Sequence, residues 1–223
     1  MLRPFALGLC LSLFAAPAWA IEENPDESAE EDSYVPNKFT INLKAAWVHF
    51  KDDRSISDTG NVGARIGFDV CEWAQLQIGS EYQKARIDVT ANDSSVEDDV
   101  GDLRMVPTYV DLRIDVTNID PMIPWPCTWV HPEVIVGVGY MHLRLNEDSD
   151  FVGDISYHSS VFLRGGLALT MGDRKSRITF SVEFVYTWVA NDLEIEESPA
   201  SNNFPSKINL DYLEFGAVFT WKF

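Results

Sequence analysis

The closing stretch, Leu210–Phe223, constrains this chain most, because its residues divide cleanly into two unlike faces. Read in twos, Leu213, Phe215, Ala217, Phe219, Trp221 and Phe223 share one face. Tyr212, Glu214, Gly216, Val218, Thr220 and Lys222 share the other. A period of two is the signature of a β-strand. An aromatic face this continuous needs cover, either from a soluble core or from lipid with a polar lumen behind it.

The same alternation recurs along the chain. Phe39–Phe50 sets Phe39, Ile41, Leu43, Ala45 and Trp47 against Thr40, Asn42, Lys44 and Ala46. Val62–Val70, Leu76–Gln83, Val106–Val116, Glu133–Met141, Val161–Met171 and Arg177–Trp188 repeat it, which with the closing strand makes eight. The connections alternate as well. Residues 51–60, 88–104, 146–157 and 189–209 read as long, polar, acidic loops, whereas 72–73 and 172–175 read as tight turns. Asn118–Pro132 is a longer connection rich in Pro and Trp. Long loops at one end and short turns at the other mark an up-and-down barrel in a membrane. A soluble barrel or sandwich has no reason for that asymmetry.

The aromatic residues point the same way. Trp47, Tyr140 and Trp188 fall near one set of strand ends, and Trp73, Trp129, Trp221 and Phe223 near the other. Two such girdles fit the two interfaces of a bilayer. After residue 20 no apolar run approaches the ~20 residues that a spanning helix needs. Membrane residence therefore requires a closed barrel.

Residues 1–20 read as a secretory signal, with Arg3, an apolar core over Phe5–Ala16 and the small-x-small site Ala18-Trp19-Ala20. Residues 21–35 follow as an acidic, disordered periplasmic leader, leaving 36–223 for the barrel. The formal net charge is −18, and the signal carries one Arg and no acid. Such acidity excludes nucleic acid as a partner.

With its closing aromatic strand ending in Phe, and with segments such as Val106-Pro107-Thr108 and Val136-Gly137-Val138-Gly139-Tyr140, the chain resembles the small eight-stranded outer-membrane barrels. This is the group of OmpA-type transmembrane domains and OmpW-like proteins. The resemblance implies an integral, porin-like barrel in the outer membrane of a Gram-negative cell envelope. It further implies contact with outer-membrane lipid and lipopolysaccharide, and recognition of the C-terminal strand by the barrel-assembly machinery.

A barrel of eight strands leaves an interior just wide enough for side chains. The inward faces carry Lys44, Arg65, Glu81, Asp111, Arg164 and Glu183 at similar heights. Balanced charges in so dry a space should pair and plug the lumen. A three-residue turn at Glu72–Ala74 would set Arg65 opposite Glu81. A two-residue turn at Asp173-Arg174 would set Arg164 opposite Glu183.

Other features favour plain readings. Cys71 and Cys127 map to the periplasmic end, where an oxidising compartment favours a structural disulfide. His158, Ser160 and Glu183 resemble the triad of outer-membrane lipid A deacylases only loosely. Those enzymes place a His-x-Ser on the lipid side, whereas here the parity turns it inward. His49, His131, His142 and His158 lack metal-ligand spacing, so neither a metal nor a cofactor is expected. The acidic loops, including Asp52, Asp53, Asp98, Asp99, Asp148, Asp150, Glu196 and Glu197, form a solvated crown that could gather divalent cations.

Two function classes follow. The first is a non-enzymatic barrel with a charge-plugged lumen and an envelope role. The second is a small conduit or carrier for small or apolar solutes, as OmpW-like proteins would imply. An apolar patch inside the outer half of the lumen, where Val48, Phe50, Met141, Leu143 and Phe162 point inward, would favour the carrier.

Overall fold

The computed structural model describes residues 39–51, 55–90, 97–118, 129–147, 154–156, 158–172, 176–196 and 207–223. The signal and leader lie outside them, as does Cys127. Eight long strands close into an antiparallel barrel: β1 (Thr40–Phe50), β2 (Thr59–Cys71), β3 (Ala74–Thr90), β4 (Glu97–Asp115), β5 (Val130–Glu147), β7 (Ser160–Met171), β8 (Ile178–Val189) and β11 (Tyr212–Lys222). Each pairs with its sequence neighbour, and β1 pairs with β11 to close the ring. Three short strands, β6 (Asp154–Ser156), β9 (Leu193–Glu196) and β10 (Lys207–Ile208), make a separate sheet from the outer loops.

Closure leaves no free edge, so every wall strand finds backbone partners on both sides, as a hydrocarbon environment demands. The terminal residue belongs to that closure. The Phe223 amide donates to the Phe39 carbonyl at 3.0 Å, and its ring lies 5.1 Å from that of Phe39 and 5.8 Å from that of Trp221.

The outer surface is apolar where the strands share a common height. Leu43, Val62, Val70, Leu167, Phe184 and Phe215 are all exposed there. So are Trp47, Trp73, Tyr140, Trp188, Trp221 and Phe223, each at least 44% accessible. A belt of this size would aggregate in water and reads as a lipid contact. Refolded protein in mild detergent should therefore run anomalously on a gel when unboiled, and shift on heating. A helical circular-dichroism spectrum would contradict the barrel.

The structure corrects the loops. Residues 88–104 are mostly strand, since β3 and β4 stay paired out to Thr90↔Glu97, with one shift at Ile87/Asp88. Beyond the belt the alternation inverts. Ala85, Ile87, Leu103, Met105, Leu143 and Leu145 turn inward and are buried, while Lys84, Arg86, Arg104 and Arg144 face out. The projecting strands are thus built like a soluble sheet, polar outside and apolar within.

Both expected registers are also revised. Arg65 lies opposite Gly79, and Glu81 opposite Gly63, because the turn is Glu72-Trp73 with an irregularity between Asp69 and Cys71. Arg164 lies opposite Thr187, and Glu183 opposite Ala168, because β7 ends at Met171 paired with Phe180 and the connection is longer than a two-residue turn.

Candidate functional site

The lumen is filled in layers along the barrel axis. Its inner end is polar. There the Thr220 hydroxyl donates to Asn42 Oδ1 at 2.6 Å, and Thr170 and Ser181 share a hydrogen bond of 2.8 Å.

Above that layer sits a buried ionic cluster. Lys44 Nζ reaches Glu81 at 2.9 Å and Glu214 at 2.7 Å, and Asn61 Nδ2 donates to the same two carboxylates. Arg65 grips both oxygens of Glu183, at 2.9 and 2.8 Å, and Arg113 meets the same carboxylate at 2.8 Å. Arg113 also pairs with Glu133 at 2.6 Å. Arg164 contacts Glu214, Asp111 and Glu81 at 3.2–3.7 Å. Its guanidinium carbon stacks 3.9 Å from the centre of the Tyr109 ring, a cation–π contact. The Tyr109 hydroxyl accepts from Arg65 Nε at 2.7 Å and donates to Glu81.

All six charges read from the sequence lie in this cluster, but the pairing differs. Arg65 and Glu81 touch, at 3.4 Å, although they are not opposite one another. The expected Arg164–Glu183 pair is not made. The four-residue change of register moves Glu183 toward Arg65 and Arg113, and Arg164 toward Glu214. Glu214, Tyr109 and Arg113 belong to the network as well, beyond the six. Their signal was parity, which they share with Lys44 and Asp111.

Close backbone approach makes room for these side chains. A Cβ at Gly79 would lie 2.6 Å from Arg65 Cγ and 2.9 Å from Tyr109 Cζ. Any side chain there would push the plug apart.

The outer layer is apolar. Val48, Phe50, Met105, Met141, Phe162 and Tyr212 are buried together, and Leu193, Ile208 and Leu210 join them from the outer loops. Bounding this layer, the β3–β4 ladder skips two pairs without changing register. The register runs from Ser80↔Thr108 to Gln83↔Met105 without pairing Glu81 and Tyr82 to Pro107 and Val106. Pro107 has no N–H to donate, so it weakens the ladder where it sits.

The remaining candidates do not assemble into a site. Ser160 accepts from the Asn191 amide at 3.1 Å, eight residues along from Glu183, and His158 is exposed. A triad of these three is excluded by distance. His49 meets Asp58 at 2.9 Å, and His142 meets Ser159 at 3.2 Å. Asp52, Asp53, Asp148, Asp150 and Glu197 lie outside the described residues.

The expected Cys71–Cys127 disulfide is not present in this structure. Cys71 ends β2 as a half-buried free thiol, and Cys127 lies outside the described residues. A shared barrel end does not by itself bring two Cα atoms within the ~4.4–6.8 Å that a disulfide needs.

No family model matches the chain, and no curated protein matches it. Its architecture has clear counterparts among solved structures. Neisserial surface protein A superposes with a TM-score of 0.52 at 11% identity, over 83% of this chain and 97% of that one. The outer membrane protein OprG from Pseudomonas aeruginosa gives 0.57 at 12% identity, over 82% and 95%. This chain has the fold of the small eight-stranded outer-membrane barrels. At such identities the likeness is one of fold. Function must come from what fills and bounds the lumen.

Proposed function

We propose that this protein is a non-enzymatic outer-membrane barrel that takes small apolar solutes into its outer half and releases them sideways through the β3–β4 seam. The charge cluster is the floor beneath that apolar layer. A through-passage would cross Arg65, Glu183, Lys44 and Glu81, all at most 4% exposed and mutually paired. Apolar solutes do not cross such a layer, because breaking its pairs leaves buried charges uncompensated. The observation that carries the reading is the unpaired stretch at Pro107, where the buried apolar layer meets an incomplete β3–β4 ladder.

Uptake of a labelled hydrocarbon by intact cells expressing the protein tests the proposal. Pro107→Ala supplies the missing N–H, so uptake should fall several-fold while the amount of folded, heat-modifiable barrel stays unchanged. Uptake equal with and without the protein would sink the carrier reading.

A second reading keeps the barrel purely structural, supporting the envelope and presenting its loops. The close filling of the lumen by side chains favours it, since Val48, Phe50, Met105 and Met141 have no accessible surface. In that case Pro107→Ala stabilises the wall and changes no flux.

A further inference from the structure

We propose that the exterior of β3, β4 and β5 binds phosphate groups of anionic outer-leaflet lipid, through Lys84, Arg104 and Arg144. Lys84 is in register with Arg104, and Arg104 with Arg144, so three cations stand side by side across three strands. All three are exposed on the face that carries Tyr82 and Tyr140 lower down. Like charges directly across a sheet repel and destabilise it, so the row calls for an anion.

Among the described residues the row finds little neutralisation. Asp102 meets Lys84 at 2.6 Å and lies opposite Arg86. Arg104 and Arg144 have no carboxylate partner among the described side chains. Two of the three cations of the row thus lack a carboxylate among the described residues, on a chain whose net charge is −18. Solvated rows elsewhere on an acidic protein would be expected to draw in their own acids.

Position identifies the occupant. Tyr82 lies two residues below Lys84, and Tyr140 four below Arg144. At about 3.3 Å per residue and a tilt near 40°, the cations stand about 5–10 Å above those aromatics, at headgroup depth. They point away from the lumen, so a solute inside the barrel does not meet them. Arg offers a planar fork of donors that suits phosphate, and two of the three residues are Arg.

The inference rests on the membrane reading of the belt. The test therefore uses barrel already inserted in phosphocholine nanodiscs, so failure to insert would be seen separately. The discs contain either a bis-phosphorylated glucosamine lipid or its dephosphorylated form, and the thermal unfolding midpoint is measured. The phosphorylated lipid should raise the midpoint by several degrees over the dephosphorylated one, and 1 M salt should erase most of the gain. Arg104→Gln with Arg144→Gln should lose most of it, whereas Arg177→Gln, on an exposed residue preceding β8, should keep it. If the double variant does not refold, the salt dependence and the lipid comparison on the wild type still decide. A midpoint indifferent to lipid phosphorylation would overturn the proposal. So would an equal gain from inorganic phosphate in solution, or a double variant that keeps the gain.

Discussion

Glu183→Ala should destabilise the barrel by about 3–5 kcal/mol, the cost of removing one partner from a buried ion pair. Glu183 is where two guanidinium groups converge. Arg65 holds it through both oxygens, and Arg113 through one. With the carboxylate gone, Arg65 keeps its 3.4 Å contacts to Glu81 and Gln77 and its bond to Tyr109, and Arg113 keeps Glu133. The two cations would then repel across the vacated space, which water enters to solvate them. Denaturant-induced unfolding in a fixed lipid or detergent gives the value. Glu183→Gln should cost less, because the amide oxygen still accepts from Arg65. Equal stability of Glu183→Ala and wild type would mean that the cluster is not the structural floor of the lumen.

Gly137→Val should prevent folding or leave only a small fraction of heat-modifiable barrel. A Cβ there would sit 2.8 Å from the Val110 carbonyl and 3.0 Å from Arg164 Cγ, and closer still to the Asp111 carboxylate. Backbone cannot retreat in a closed ladder, and Arg164 is hemmed in by Tyr109 and Glu214. Overpacking usually costs about 1–3 kcal/mol when side chains can shift, and more when they cannot. Gly165→Val is the control, since its Cβ would approach nothing nearer than 3.7 Å. Refolding yield on unboiled gels separates the two. Comparable yields would show that the lumen has slack at this height.

The membrane-facing half was legible because lipid imposes a single rule, apolar outside on every second residue. Ile41, Leu43 and Trp47, or Phe180, Phe184 and Trp188, obey it without exception. Above the belt the same rule misleads. Lys84, Arg86 and Arg104 face out while Ala85, Ile87 and Leu103 face in, so a search for outward apolar residues reads strand as loop. Recognising that the period persists while its phase inverts would have extended β3 and β4.

Lumen membership was legible from parity, but partners were not. Ion pairing depends on register, and register depends on one or two residues in each turn. The irregularity between Asp69 and Cys71 moved the partner of Arg65 by one pleat, and the longer connection after Met171 moved that of Arg164 by two. Glu214 went unassigned because its partners come from β1 and β7 rather than from one adjoining hairpin. Pro107 stood in plain view. Its consequence, a gap opposite Glu81 and Tyr82, needs the β3–β4 register to be seen.

Single-channel recording of the refolded wild-type barrel in a planar bilayer tests the central claim most directly. A lumen floored by Lys44, Arg65, Glu81, Arg164, Glu183 and Glu214 should carry no steady ionic current, and Glu183→Ala should introduce intermittent openings as water enters the vacated site. Steady ohmic conductance in the wild type, unchanged by Glu183→Ala, would contradict the account.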